Sequence, residues 1–200
     1  MAAGIFEAGL LGAAFAGGWL VGVNPTAGLQ IRGEDALLGL AASIPMLLLL
    51  AVCMVSRSAG MEQIRKFLRD AIGGYLARSS FFDLVLLALL AGVSEEVFFR
   101  GFLYGWIGGW NPVLGVLVCN LLFALAHAVT PMYALLTGFL GLYLTALVAV
   151  DATPNLLIPI VAHAVYDLIA FGVVLRDYRH HESSSGDAGN ADGPDGEHRR

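Results

Sequence analysis

Six apolar runs, each near the roughly 20 residues a helix needs to cross a hydrocarbon core, fill most of this 200-residue chain. They fall at about 5–23, 36–56, 80–106, 112–128, 131–150 and 154–175. Charged residues make up 14% of the chain and hydrophobic ones 58%, whereas a soluble domain carries about 25% charged residues. The expected fold class is therefore all-α: a polytopic transmembrane helical bundle of about six spans plus one interfacial helix. Pro112 and Pro131 suit first helical positions. Pro45 and Pro159 fall inside spans two and six and are expected to break them. Ser80 and Asp83 have the spacing of a capping box, which assigns Asp83 to a helix start.

Basic residues set the orientation. Arg57, Arg65, Lys66, Arg69 and Arg78 lie between spans two and three, and the positive-inside rule makes that loop cytoplasmic. Six spans then put both termini in the cytoplasm of a multi-pass cell-membrane protein. Within the loop, residues 61–76 carry an apolar stripe of Met61, Ile64, Phe67, Leu68, Ile72 and Tyr75 opposite basic residues, the pattern of a helix lying in the interface. The chain divides into an amino-terminal two-span region with this interfacial helix over 1–79, a core over 80–175 and a cytoplasmic tail over 176–200. Residues 182–200 offer too little apolar surface to fold and are expected to be disordered. His180, His181 and His198 are read as solvent-exposed. The opening MAAGIFE lacks the positive charge of a signal peptide, so the first helix is expected to remain as an anchor. Cys53 and Cys119 sit in apolar runs without disulfide or zinc spacing. The net charge of −5 gathers in the tail, which excludes a nucleic-acid surface.

Against this background the ionisable residues inside the runs stand out. A charge at a helix centre costs about 2.5–3.5 kcal/mol on insertion scales, and residues retained at that cost face a cavity or one another. Span three holds Glu95, Glu96 and Arg100, span four ends with His127, and span six holds His163 and Asp167. Glu96 and Arg100 are four apart and share a helix face, as do His163 and Asp167. Glu95 lies about 100° around the helix from Glu96 and has no partner on its own helix, which suits a general base. Asn120, two turns before His127, is read as interhelical glue. At 1.5 Å per residue, His163, Glu95 and His127 lie about 12, 18 and 22 Å below the outer ends of their spans. They share one layer of a core about 30 Å thick.

These residues carry a resemblance. Glu95-Glu96-Val97-Phe98-Phe99-Arg100 matches the EExxxR motif of the CAAX-protease and bacteriocin-processing family of intramembrane endopeptidases. Phe123-Ala124-Leu125-Ala126-His127 resembles its FxxxH motif, and His163-Ala164-Val165-Tyr166-Asp167 its HxxxN/D motif. The resemblance makes 80–175 a catalytic core that hydrolyses peptide bonds of membrane-associated proteins, prenylated CAAX ends among them. It implies that Glu95 activates water with His127, that Glu96 and Arg100 hold the site together, and that His163 and Asp167 stabilise the oxyanion or complete a metal site. Two chemistries stay open. In a metalloprotease, Glu95, His127, His163 and Asp167 would bind Zn or another divalent metal. In a metal-free enzyme, Glu and His act on water directly. Asp167 replaces the Asn usual in the prenyl-protein-processing branch, and an ionised Asp donates no hydrogen bond. The rival class is a membrane scaffold or a proton or metal transport protein that retains the motifs. The implied partners are the lipid bilayer and a membrane-associated protein or peptide, not nucleic acid.

Overall fold

A computed structural model describes residues 2–149 and 154–190, and every regular element among them is a helix. Helices α1 (Ala2–Val21) and α2 (Gly33–Val55) are followed by α3 (59–78), α4 (81–108), α5 (Pro112–Ala126), α6 (Pro131–Leu147) and α7 (Leu157–Asn190). Three stretches are long and apolar enough to cross a bilayer alone: Gly4–Val21, Gly33–Val55 and Leu157–Ser184. The outer surface is apolar, with Ile5, Trp19, Leu48, Leu117 and Phe139 exposed, whereas Glu7, Asp35, Glu95, Glu96, Arg100, Asn120 and His163 are buried. That inversion of the soluble pattern is what lipid demands.

Helix boundaries differ from the sequence reading in three places. α5 and α6 have 15 and 17 residues, about 22 and 26 Å, and are shorter than the runs at 112–128 and 131–150. The cause is the tight connection between them: His127 ends α5, and the Thr130 hydroxyl caps α6 by accepting from the Tyr133 N–H at 3.1 Å. Neither proline ends its helix. Pro45 lies within an uninterrupted α2. Pro159 falls in the first turn of α7, where its missing N–H would have had no helical partner. Finally, α7 runs on to Asn190, past residue 176 where the tail was expected to begin. Extending a helix already nucleated by packing costs far less than starting one. Residues 191–200, with His198, lie outside the described residues.

α7 is the axis of the bundle. α2 and α4 both pack along it, α1 packs on α4, and α5 pairs with α6. At Gly92 a Cβ would come 3.0 Å from the Ala164 methyl, so α4 approaches α7 as closely as two backbones allow, three residues before Glu95. At the opposite end of α2 from α3, buried Asn155 joins the segment before α2 to the start of α7. Its amide donates to the Gln30 carbonyl at 3.0 Å and to Asp35, while its oxygen accepts from the Gln30 and Leu157 N–H groups at 3.0 and 2.9 Å.

α3 is amphipathic but turned from the expected stripe. Met61, Ile64 and Leu76 are buried, whereas Phe67 and Tyr75 are exposed. The helix widens into a π-helical turn at Arg69–Gly73, and Gly73 lies directly against the Tyr178 ring of α7. Arg69 pairs with Asp177 at 3.0 Å, and Arg65 donates to the Cys53 carbonyl at 2.7 Å. α3 is thereby strapped to the ends of α2 and α7.

Candidate active site

α4 starts at a capping box. The Ser80 hydroxyl accepts from the Asp83 N–H, and the Asp83 carboxylate accepts from the Ser80 N–H at 2.8 Å. The α-helical part ends at Glu96 and continues as a π-helix over Val97–Tyr104, a widening often found at functional sites. In this stretch the Cys119 thiol donates to the Phe99 carbonyl at 3.1 Å.

Glu96 and Arg100 form the deepest part of the cluster, both side chains fully excluded from solvent. Arg100 Nη1 donates to Glu96 Oε1 at 2.9 Å, Nη2 to the Gly141 carbonyl at 2.8 Å and Nε to the Thr145 hydroxyl at 3.3 Å. The guanidinium also lies 4.5 Å from the centre of the Phe123 ring, a cation–π arrangement. Residue 141 must be small: a Cβ there would stand 2.8 Å from Asn120 Oδ1 and 3.3 Å from Arg100 Nη2. Asn120 is structural, as its sequence position suggested. It accepts from Thr145 at 3.2 Å and donates to the Val116 carbonyl at 2.8 Å, linking α5 to α6.

The hydrogen bonds fix which ring nitrogens carry protons. His163 Nδ1 is 2.8 Å from Glu96 Oε1. A carboxylate paired with arginine only accepts, so Nδ1 is the N–H and Nε2 is directed elsewhere. His127 Nδ1 is 2.9 Å from the Phe123 carbonyl, which also only accepts, so His127 likewise frees its Nε2. Both Nε2 atoms face Glu95. His127 Nε2 is 3.7 Å from Glu95 Oε2, and His163 Nε2 is 4.0 Å from the same oxygen. Asp167 Oδ2 lies 3.6 Å from His163 Nε2. Among the described residues, Glu95 Oε2 is buried without a hydrogen-bond partner. Gaps of 3.6–4.0 Å are too wide for direct hydrogen bonds and suit a small molecule of water between the groups.

Six predicted positions therefore meet in one place: Glu95, Glu96 and Arg100 from α4, His127 from the end of α5, and His163 and Asp167 from α7. His180 lies on the exposed extension of α7 and His181 beside it, away from the cluster. The donor set was tested for a metal. Although Glu95 Oε2 is an orphaned buried oxygen, no three His, Cys, Asp or Glu side chains among the described residues converge into a metal-holding group. One nitrogen of each histidine is already committed to a protein acceptor. The residues as placed do not fit a bound zinc.

Two features were not legible beforehand. Glu7 of α1 is buried and accepts a short hydrogen bond from the Ser94 hydroxyl. Its signal was present, because Glu7 is the one ionisable residue in α1. The second feature is an apolar cavity of about 160 Å³. It extends from His127, His163 and Asp167 past Tyr133, Leu140 and Tyr166 to Met61 and Ile64 of α3.

A family model described as type II CAAX prenyl endopeptidase Rce1-like matches residues 77–169. The match spans every residue of the cluster except Glu7. No curated protein and no solved structure matches the chain.

Proposed function

This chain belongs, through residues 77–169, to the Rce1-like family of intramembrane CAAX-type endopeptidases, and on that premise we propose that Glu95 is the base that activates water for peptide hydrolysis. The observation that carries the reading is the buried, unbonded Glu95 Oε2 faced by two histidine Nε2 atoms. Each of those rings is oriented by its Nδ1–H. A water between Glu95 Oε2 and His127 Nε2 has two acceptors for its protons and one lone pair to direct at a carbonyl carbon.

In the proposed reaction the water oxygen bonds to the scissile carbonyl carbon as Glu95 takes a proton. A protonated His163 Nε2 donates to the oxyanion, with Asp167 beside it. Collapse breaks the C–N bond, and the departing nitrogen takes the proton back from Glu95. Glu96 and Arg100 act on this sequence by holding the His163 ring. Asp167 cannot be an oxyanion donor while ionised. Its proposed role is to orient His163 and to balance its charge. The reading is metal-free because the donors do not converge.

The substrate class follows from the cavity. Its lining is mostly apolar, it ends at the catalytic cluster and it passes under the amphipathic α3. It suits a substrate whose apolar portion enters from the membrane interface, as a prenylated carboxy-terminal segment would. The proposed placement is a six-pass cell-membrane protein with α3 and both termini cytoplasmic. Residues 1–79 then form an amino-terminal unit around the catalytic core.

The test is cleavage of a fluorogenic prenylated peptide by purified protein in detergent. Wild type should cleave it, and Glu95→Gln, which keeps the shape and removes the proton acceptor, should lose about 10²–10⁴-fold in turnover. Undiminished cleavage by Glu95→Gln would sink the assignment and promote the scaffold or transport class.

A further inference from the structure

α1 lies outside residues 77–169, the stretch that matches the family, and contributes no motif residue. It nevertheless brings a carboxylate to the cluster. Glu7 is 8% exposed and its hydrogen-bond donor is Ser94, the residue before Glu95, itself 2% exposed. The charge of Glu7 reaches both Glu95 and Asp167, so α1 faces the side of the site that α5 and α7 leave uncovered.

Docking of α1 does not require this carboxylate. Ala14 is fully buried in a cluster with Phe99, Phe102 and Phe123. At Gly17 a Cβ would come 2.5 Å from the Phe102 ring, so α1 and α4 are already matched in shape by apolar groups. A carboxylate in an otherwise apolar helix weakens membrane insertion, and apolar contact gives no reason for keeping it. Its placement gives one. The Ser94 hydroxyl has a single proton and a choice of acceptors: Glu7, or the Leu90 carbonyl of its own helix at 2.8 Å. Donation to Glu7 anchors the last α-helical turn of α4 to a second helix, just before the π-helix over Val97–Tyr104 loosens the ladder. Glu95 lies in that turn and has no hydrogen bond at Oε2 to hold it.

We propose that Glu7 is a positioning residue of the active site, fixing the Glu95 turn of α4 through the Ser94 hydroxyl. The inference rests on the proteolytic reading of Glu95. It extends the working site to a helix that the family motifs do not include.

The experiment measures steady-state cleavage by the full-length protein in detergent for Glu7→Ala, Ser94→Ala, the double variant and Glu7→Gln. Glu95→Gln serves as control and melting is followed in parallel. A misplacement of about 1 Å costs up to about 10²-fold. Glu7→Ala and Ser94→Ala should each lower kcat about 10- to 100-fold with KM unchanged. The double variant should be no slower than the worse single one, because both remove the same link. Glu7→Gln retains an acceptor oxygen for Ser94 and should recover most of the rate. Wild-type kcat in folded Glu7→Ala, effects that multiply in the double variant, or a change confined to KM overturns the inference. If Glu95→Gln is inactive in the same series, the proteolytic reading survives that failure. Full activity in Glu95→Gln, or no cleavage by wild type, overturns both.

Discussion

Replacing Glu96 by alanine tests the architecture of the site separately from its chemistry. In the native protein Glu96 Oε1 accepts from Arg100 at 2.9 Å and from His163 at 2.8 Å, with no solvent reaching Glu96 or Arg100. The substitution strands a buried guanidinium, which costs about 3–5 kcal/mol when one partner of such a pair is removed. It also orphans the His163 N–H, worth about 1–3 kcal/mol. Arg100 keeps the Gly141 carbonyl and the Thr145 hydroxyl, and both losses fall on a single oxygen, so they overlap. A net loss of about 4–5 kcal/mol is expected from groups that share a partner. At about 2–4 °C per kcal/mol for a chain of this length, the melting temperature in detergent should fall by about 8–20 °C. Glu96→Gln keeps an acceptor and removes the charge, and should fall between wild type and alanine. The assay is thermal unfolding followed by the fluorescence of a buried-thiol dye, run beside the cleavage assay. Wild-type melting in Glu96→Ala would refute the reasoning, since it would mean that Arg100 is neither buried nor dependent on Glu96.

Further outcomes follow from other parts of the molecule. His127→Ala should lose turnover by about 10²–10⁴-fold while melting close to wild type, because its half-buried ring caps α5 and closes no core; a large loss of stability would make it structural. Chelator-treated, metal-free protein is expected to keep full activity, and about one equivalent of zinc by elemental analysis with loss of cleavage on chelation would contradict the metal-free reading. Ala170→Trp, which fills the cavity lined by Ala170, should raise KM for an apolar substrate with kcat little changed; an unchanged KM would show that the substrate enters elsewhere. Lys66→Cys in a cysteine-free background should resist a membrane-impermeant label in intact cells, and ready labelling from outside would reverse the orientation.

Much of the site was legible because lipid makes ionisable residues conspicuous. Glu95, Glu96 and Arg100 stood out in an apolar run, and helical spacing paired Glu96 with Arg100 and His163 with Asp167. Their meeting across three helices was not legible from spacing alone. It depends on Gly92 admitting Ala164 and on a π-helix whose sequence, Val97–Tyr104, contains no proline or glycine pair to mark it. Gly141 supplies a backbone carbonyl to Arg100, and a carbonyl leaves no trace in residue identity. Glu7 could have been noticed as the one charge in α1, but its partner Ser94 lies 87 residues away. The helical run past residue 176 was missed because composition describes the tail by itself and not as the continuation of a packed helix.

The widened turn after Glu96 bears on how this protein can change over generations. A π-helical stretch is an α-helix that carries surplus chain, and here it occupies Val97–Tyr104. Removing one residue would let the helix relax and swing whatever follows by about 100° around its axis, carrying the aromatic stack of Phe102 and Trp106 away from α1. Exchanging one apolar side chain for another would leave the swing untouched. Between these eight positions the protein should accept new letters far more readily than a new length, so a one-residue deletion should be more damaging than several substitutions together.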